Sequence, residues 1–280
     1  MGRFLVCHSG GVSSAQCALT LAEKYDPSDI ILLNHNIIGT RETKDTKRFK
    51  QEVADYLGLP ITYANHPNWD EKTPVQVCVD AGAWKVGSGQ ILCTNRLKTA
   101  PFMDWLEQND PNKELICVYG FDKNELTRVT RRSQIMGNLG WKTEFPMLLD
   151  ERQIIRISEV GIKAPNVYET FKHANCTGCL KAGWQHWYIV YCTRPDVWNE
   201  AKWGENEIGY SIHSDSKGIP VYLEDKEELF EKMRLAGVKP TEHIKHQTFW
   251  AQARKAVKKY EYEIEQMQLE DEGVCLECMA

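Results

Sequence analysis

Two groups of residues in this chain have the types and spacing to do chemistry. The first is His8-Ser9-Gly10-Gly11-Val12-Ser13-Ser14. It directly follows the apolar run Phe4-Leu5-Val6-Cys7 and precedes a helical pattern carried by Ala15, Cys17, Ala18, Leu19, Leu21 and Ala22. A buried strand that passes through a Ser/Gly loop into a helix is built to hold phosphate. The glycines let the backbone approach an anion, and the first N–H groups of the helix point at it. Ser9, Ser13 and Ser14 add hydroxyl donors. A tight turn whose glycines serve only geometry fits the same residues. The spacing is neither GxxxxGK[ST], since no Lys follows, nor GxGxxG.

The second group is cysteine. Cys176-Thr177-Gly178-Cys179 has a chelating spacing, and Gly178 lets two thiolates converge on one metal. A second pair, Cys275 and Cys278, stands in the last six residues. Alone, a CxxC is open to zinc, iron–sulfur or a redox dithiol. No strand pattern immediately precedes this one, which disfavours a thioredoxin-type dithiol. Cys7, Cys17, Cys78, Cys117 and Cys192 read as small core residues. His8 borders the loop and reads equally well as an anion ligand or a buried supporting residue.

Composition bounds the setting of both groups. The 280 residues are 42% hydrophobic and 26% charged, with nine Trp, eleven Tyr and eight Phe, which is core-building material and excludes disorder. No apolar run approaches the roughly 20 residues of a membrane helix, and the apolar stretch near the start is too short for a signal-peptide core. A cytoplasmic location is therefore expected, with the ten cysteines as reduced thiols or metal ligands. The net charge of -5 argues against indiscriminate coating of nucleic acid.

The elements that must position the loop alternate strand and helix. Ile30–Leu33 reads as a buried strand, 43–58 as an amphipathic helix with Phe49, Val53 and Leu57 on one face, and Ile61–Ala64 as a third strand. A helix over 94–108, first-turned or kinked at Pro101, precedes a strand at 115–119. Then come a helix over 122–136 and a last strand at 143–146. Asp150 to Gln153 resembles a capping box. This order predicts an α/β fold with a doubly wound, mainly parallel sheet and ligands at the carboxyl ends of the strands. A boundary near 165 divides an α/β domain (1–165) from a helical, cysteine-clamped subdomain (166–280).

SGGxxS after the first strand resembles the pyrophosphate loop of the adenine nucleotide alpha-hydrolase superfamily. Cys93-Thr94-Asn95-Arg96-Leu97-Lys98 with Pro101 resembles the C-T-x-x-L-K-x-x-P signature of phosphoadenosine phosphosulfate (PAPS) reductase-like proteins. Gly120 to Arg128 resembles their G-(I/F)-x-x-x-E-x-x-R segment. Asn34-His35-Asn36 through Glu42, Thr46 and Phe49 is similar to the region after their second strand, where nucleotide specificity is set. The likeness covers roughly residues 4–185. It implies an adenine nucleotide (ATP, adenylyl sulfate or PAPS) held by Ser9, Gly10, Gly11, Ser13, Ser14, Asn36 and Gly120. Lys98 and Arg128 would neutralise charge on the transferring group. Arg131 and Arg132 are further oxyanion clamps or simply a solvated helix face. Ser13 stands where many ATP-using relatives have Asp.

The resemblance also sharpens the cysteines. Adenylyl-sulfate reductases carry a 4Fe–4S cluster on a cysteine pair before the LK segment and a CxxC about eighty residues on. Here Cys93 is single, and Cys176 follows it by 83 residues. The implied ligands are Cys93, Cys176 and Cys179, completed by Cys275 or Cys278. A mobile nucleophilic tail and a structural zinc on Cys176, Cys179, Cys275 and Cys278 are the alternatives. The tail Glu277-Cys278-Met279-Ala280 shares only Glu-Cys with the reductase tail motif.

The dense aromatics after Gly183 read more simply as a helical cap than as a base-stacking surface. A long helix is expected over 241–270, with lysines and glutamates on a solvated face. The implied function is sulfonucleotide reduction or ATP-dependent sulfur transfer, with a sulfur donor or reductant protein as partner. A nucleic-acid substrate has no support from the charge, and no membrane is involved. The alternative is a non-catalytic nucleotide sensor or interaction subunit with structural zinc.

Overall fold

The computed structural model describes residues 4–148 and 156–271, with side chains to residue 266. The chain forms two compact units, one through Thr177 and one from Gly178.

The first unit is built on five parallel strands in the order β3-β2-β1-β4-β5. They are β1 (Phe4–Cys7), β2 (Ile30–Asn34), β3 (Ile61–Tyr63), β4 (Ile116–Val118) and β5 (Lys142–Glu144). β1 is central, with Phe4 opposite both Ile30 and Ile116. A parallel strand covered on both faces must be apolar on both, which is why β1 reads FLVC and β2 begins IILL. Phe4 and Val6 pack with Cys17, Ala18 and Leu21 of α1 (Val12–Ala22) and Ala54 of α2 (Lys44–Leu57). Leu5 packs on the other face with Phe102, Leu106 and Met136. Helices on both faces make the sheet doubly wound, as expected.

α2 begins where Thr43 Oγ1 accepts the Thr46 N–H at 3.1 Å and ends at Gly58. Its buried positions are Thr46, Phe49, Lys50, Val53 and Ala54. That is an i, i+3, i+4, i+7, i+8 stripe containing one lysine. α3 (Pro74–Asp80) was not anticipated, although its Thr73–Gln76 capping box is written in the sequence. The helix expected over 94–108 is α4 (Leu92–Thr94), a π-helical stretch Asn95–Thr99 and α5 (Ala100–Asn109). Pro101 has no N–H to give the preceding turn, and that turn widens into the π stretch that carries Lys98. α6 (Leu126–Asn138) follows a short 3₁₀ turn, Lys123–Glu125, opened by an Asp122–Glu125 capping box. The capping box read at Asp150 lies outside the described residues.

The first unit extends beyond residue 165 because the next turn is bonded back to it. Asn166 N–H donates to Asp45 Oδ2 at 2.6 Å, Val12 N–H to the Tyr168 hydroxyl at 3.1 Å and Thr177 N–H to Arg41 O at 3.0 Å. The division therefore runs through the CxxC: Cys176 belongs to the first unit and Cys179 to the second.

The second unit is helical: α7 (Trp184–Thr193), α8 (Pro195–Ile208), α9 (Glu227–Leu235) and α10 (His246–Asp271), with a small hairpin of β6 (His213–Ser214) and β7 (Pro220–Val221). Its aromatics are core. Trp187, Tyr188 and Phe230 are fully buried, and Tyr188 meets Phe230 edge-on at 5.4 Å. No described helix in either unit is long and apolar enough to cross a membrane.

Candidate functional site

The loop after β1 is held in place by two close approaches. Gly10 has φ +82°, and a Cβ there would lie 2.8 Å from Thr46 Cγ2, so the loop rests directly on α2. Gly120, just past β4, has the backbone of Ser13 and Ser14 where its Cβ would be, at 2.8 Å. Only glycine lets β4 leave the sheet against the first turn of α1. Within the loop, Ser14 Oγ accepts from Ser9 N–H at 3.1 Å and donates to Gly11 O at 2.8 Å. Ser9 Oγ lies 3.2 Å from the same hydroxyl. Gly11 opens α1 without a side-chain cap. The Val12 amide is taken by Tyr168, whose hydroxyl would also lie 3.3 Å from a Cβ on Gly11.

Beside the loop, at the carboxyl ends of β1 and β2, lies a cleft of about 470 Å³ including its open mouth. Ser9, Lys98 and Cys176 line it, with Cys7, His8, Asn34, His35 and Glu42. Under it Lys50 is 1% exposed. Lys50 Nζ donates to Asn34 Oδ1 at 2.8 Å and to Glu42 Oε2 at 2.9 Å, and Asn34 Nδ2 donates to His8 O at 2.6 Å. Burial lowers the Lys50 pKa and Glu42 opposes that shift. Burial likewise holds His8 and His35 down to about 4, so both rings are neutral at pH 7. Burial pushes the Cys7 thiol up to about 12 and raises Cys176, against the pull of Lys98.

Of the residues expected to bind phosphate, Ser9, Gly10, Gly11, Ser13 and Ser14 form this loop and Gly120 backs it. Asn36 is not on the cleft lining; its N–H and C=O both pair with the Asn65 amide at 2.9 Å. Of the two expected cations, Lys98 lines the cleft and Arg128 does not. Arg128 is exposed, paired with Glu125, and its guanidinium lies 4.1 Å from the Phe121 ring centre. Arg131 is exposed, and Arg132 lies over Tyr119 at 5.1 Å.

Among the five expected metal ligands, Cys93 and Cys176 share the first unit, close enough for the charge of one to act on the other. Cys93 also hydrogen-bonds the buried Cys78, a contact no spacing announced. Cys179 belongs to the second unit, and Cys275 and Cys278 lie outside the described residues. Of the five expected ligands the first unit therefore holds Cys93 and Cys176, of which Cys176 lines the cleft. Comparison with protein-family models, with curated proteins and with solved structures finds no match.

Sequence reasoning missed Lys50 and Tyr168. A lysine inside the apolar stripe of α2 was the legible sign of the first. Tyr168 carried none, because its contact joins positions 156 residues apart.

Proposed function

We propose that the first unit binds an adenine nucleotide, with its 5′-phosphates at the Ser9–Ser14 loop and its nucleoside in the adjoining cleft. In this reading the protein is an enzyme acting at or near the α-phosphate. The observation that carries it is the position of the loop at the carboxyl edge of a parallel sheet, with Lys98 and Cys176 on the wall of the adjoining cleft. The word adenine comes from the PAPS reductase-like resemblance of the loop, the Cys93–Lys98 segment and the Gly120–Arg128 segment. The loop's amides and hydroxyls would hold phosphate or sulfate, and Lys98 would balance charge on the transferring group. A 4Fe–4S cluster on Cys93, Cys176, Cys179 and one terminal cysteine would supply redox or sulfur chemistry beside the nucleotide.

Anaerobic purification with iron, sulfide and zinc analysis tests the metal. About four irons with acid-labile sulfide support the cluster, and one tightly held zinc removes it. Incubation with adenylyl sulfate or PAPS and a reductant tests for sulfite release. Incubation with ATP and a sulfur donor tests for pyrophosphate release.

A second reading, nucleotide sensing without turnover around a structural zinc, has its own support. The Val12 amide is already engaged by Tyr168 and Arg128 by Glu125, so two groups suited to a transferring phosphoryl group have internal partners. Tight binding with no product in either assay would favour it.

A further inference from the structure

Fourteen residues lie between Cys78 and Cys93, and the fold brings the two thiols into contact. The chain between them doubles back on itself. Ala83 N–H donates to Cys78 O at 3.1 Å, Leu92 N–H to Trp84 O at 2.8 Å and Val86 N–H to Gln90 O at 2.9 Å, with an antiparallel bridge between Lys85 and Ile91. This ladder returns α4 to the end of α3, so that Cys93 meets Cys78. Cys78 Sγ then accepts from both the thiol and the backbone N–H of Cys93. The two sulfurs differ in access: Cys78 is fully buried and Cys93 is half-buried.

We propose that Cys78 and Cys93 form a reversible disulfide when the protein meets a low-molecular-weight disulfide oxidant. Cys93 is the sulfur such an oxidant reaches, and Cys78 is the sulfur already in place to displace it. The Cys93 thiolate attacks one sulfur of the oxidant, forms a mixed disulfide and releases the first small thiol. Cys78 then attacks the Cys93 sulfur, and its proton leaves with the second small thiol. Two protein thiols are oxidised to one S–S bond, and the oxidant is reduced to two thiols. Disulfides in otherwise reduced proteins are characteristically of this transient, sensing kind. Cys93 lies in α4, which runs directly into the π stretch carrying Lys98, a residue of the cleft lining. Oxidation thus fastens that turn to α3. It also withdraws Cys93 from any metal, so the disulfide and the cluster proposed above are exclusive uses of one sulfur.

The test equilibrates the full chain with glutathione and glutathione disulfide over a range of ratios, stops exchange by alkylation, and maps the digest by mass spectrometry without reductant. A peptide linked through Cys78 and Cys93 is expected as the major disulfide, and excess glutathione should remove it. Cys78→Ala should leave Cys93 as its mixed disulfide with glutathione, and Cys93→Ser should leave Cys78 unmodified. Cys93 that pairs with Cys176 instead, or stays reduced in the most oxidising mixture, overturns the proposal. So does glutathione on Cys78 in the Cys93→Ser protein. The wild-type map is the primary readout and needs no variant to fold. Iron and zinc analysis of the same sample separates this proposal from the metal reading. Bound metal with Cys93 unreactive overturns the disulfide and leaves that reading standing, whereas the linked peptide in a metal-free chain supports the disulfide without the cluster.

Discussion

Each unit buries a glutamate and a histidine, and the two pairs are used differently. In the second unit Glu205, 2% exposed, accepts from Ile212 N–H at 2.8 Å and from Leu223 N–H at 2.7 Å, so both oxygens join the chain ends of the small hairpin to α8. His186 there accepts from Gly178 N–H at 3.2 Å and faces Glu242 at 3.1 Å, so both ring nitrogens are engaged. In the first unit Glu42 gives one oxygen to Lys50 and Lys47, and the buried His8 has Nδ1 without a hydrogen-bond partner among the described residues. Buried polar groups are nearly always paired. The Glu205–His186 pair is fully tied into its own unit, whereas His8 keeps one polar atom unpaired. Residue type and burial are alike in these two pairs; the count of engaged polar atoms separates them.

The largest effect is expected from breaking the first pair. Lys50→Met leaves the buried Glu42 carboxylate with only the more distant Lys47, at 4.0 Å, and should cost about 3–5 kcal/mol in urea denaturation. Lys50→Met with Glu42→Leu should cost clearly less, because the stranded charge goes too. If the double variant is as unstable as the single, Glu42 is not held by Lys50 in the way described.

Next comes pH. His8 titrates near 4 when folded and near ~6.5 when unfolded, so between these values the folded protein binds fewer protons. Stability should therefore be complete above about 6.5 and fall as pH drops toward 4, with a limiting slope of ~1.4 kcal/mol per unit. His35 adds a smaller share in the same direction, being partly exposed. His8→Gln should flatten the slope measured by denaturant titration across this window.

Gly120→Ala forces backbone apart at Ser13 and Ser14 and is expected to cost about 1–3 kcal/mol while loosening nucleotide binding. By contrast Glu205→Gln, at about 1–3 kcal/mol, should leave binding unchanged. Equal loss of binding in both variants would erase the distinction drawn between the two units. Ser14→Ala removes the hub of the loop's hydrogen bonds at about 1 kcal/mol. Smallest is Arg128→Ala, an exposed pair worth less than about 1 kcal/mol of stability. A large loss of turnover in that variant would restore Arg128 to the reaction.

Much of the first unit was legible in the chain itself. FLVC and IILL can only be buried strands, Thr43 and Gly58 bracket α2, and the Ser/Gly loop announces itself between a strand and a helix. Local patterns suffice there because they act over one turn or one pleat. The end of the first unit was not legible, since the bonds from Asn166, Tyr168 and Thr177 reach back to Asp45, Val12 and Arg41. The ligand set named from the cysteines rested on a resemblance, and of its members Cys93 and Cys176 are described in one unit.

The sequence by itself determined that this protein is an α/β sheet unit followed by a helical region, and that a glycine loop leaves the first strand. Those facts follow from hydrophobic period, caps and turn residues. Only the tertiary structure decided which groups face one cleft and what each has left to offer. Strand order puts β2 beside β1, α2 sets Lys50 beneath both, and the carbonyls of Lys50 and Ala64 fix which nitrogen of His8 and of His35 carries the hydrogen. A lone pair's freedom depends on partners tens of residues away, and no local pattern encodes it.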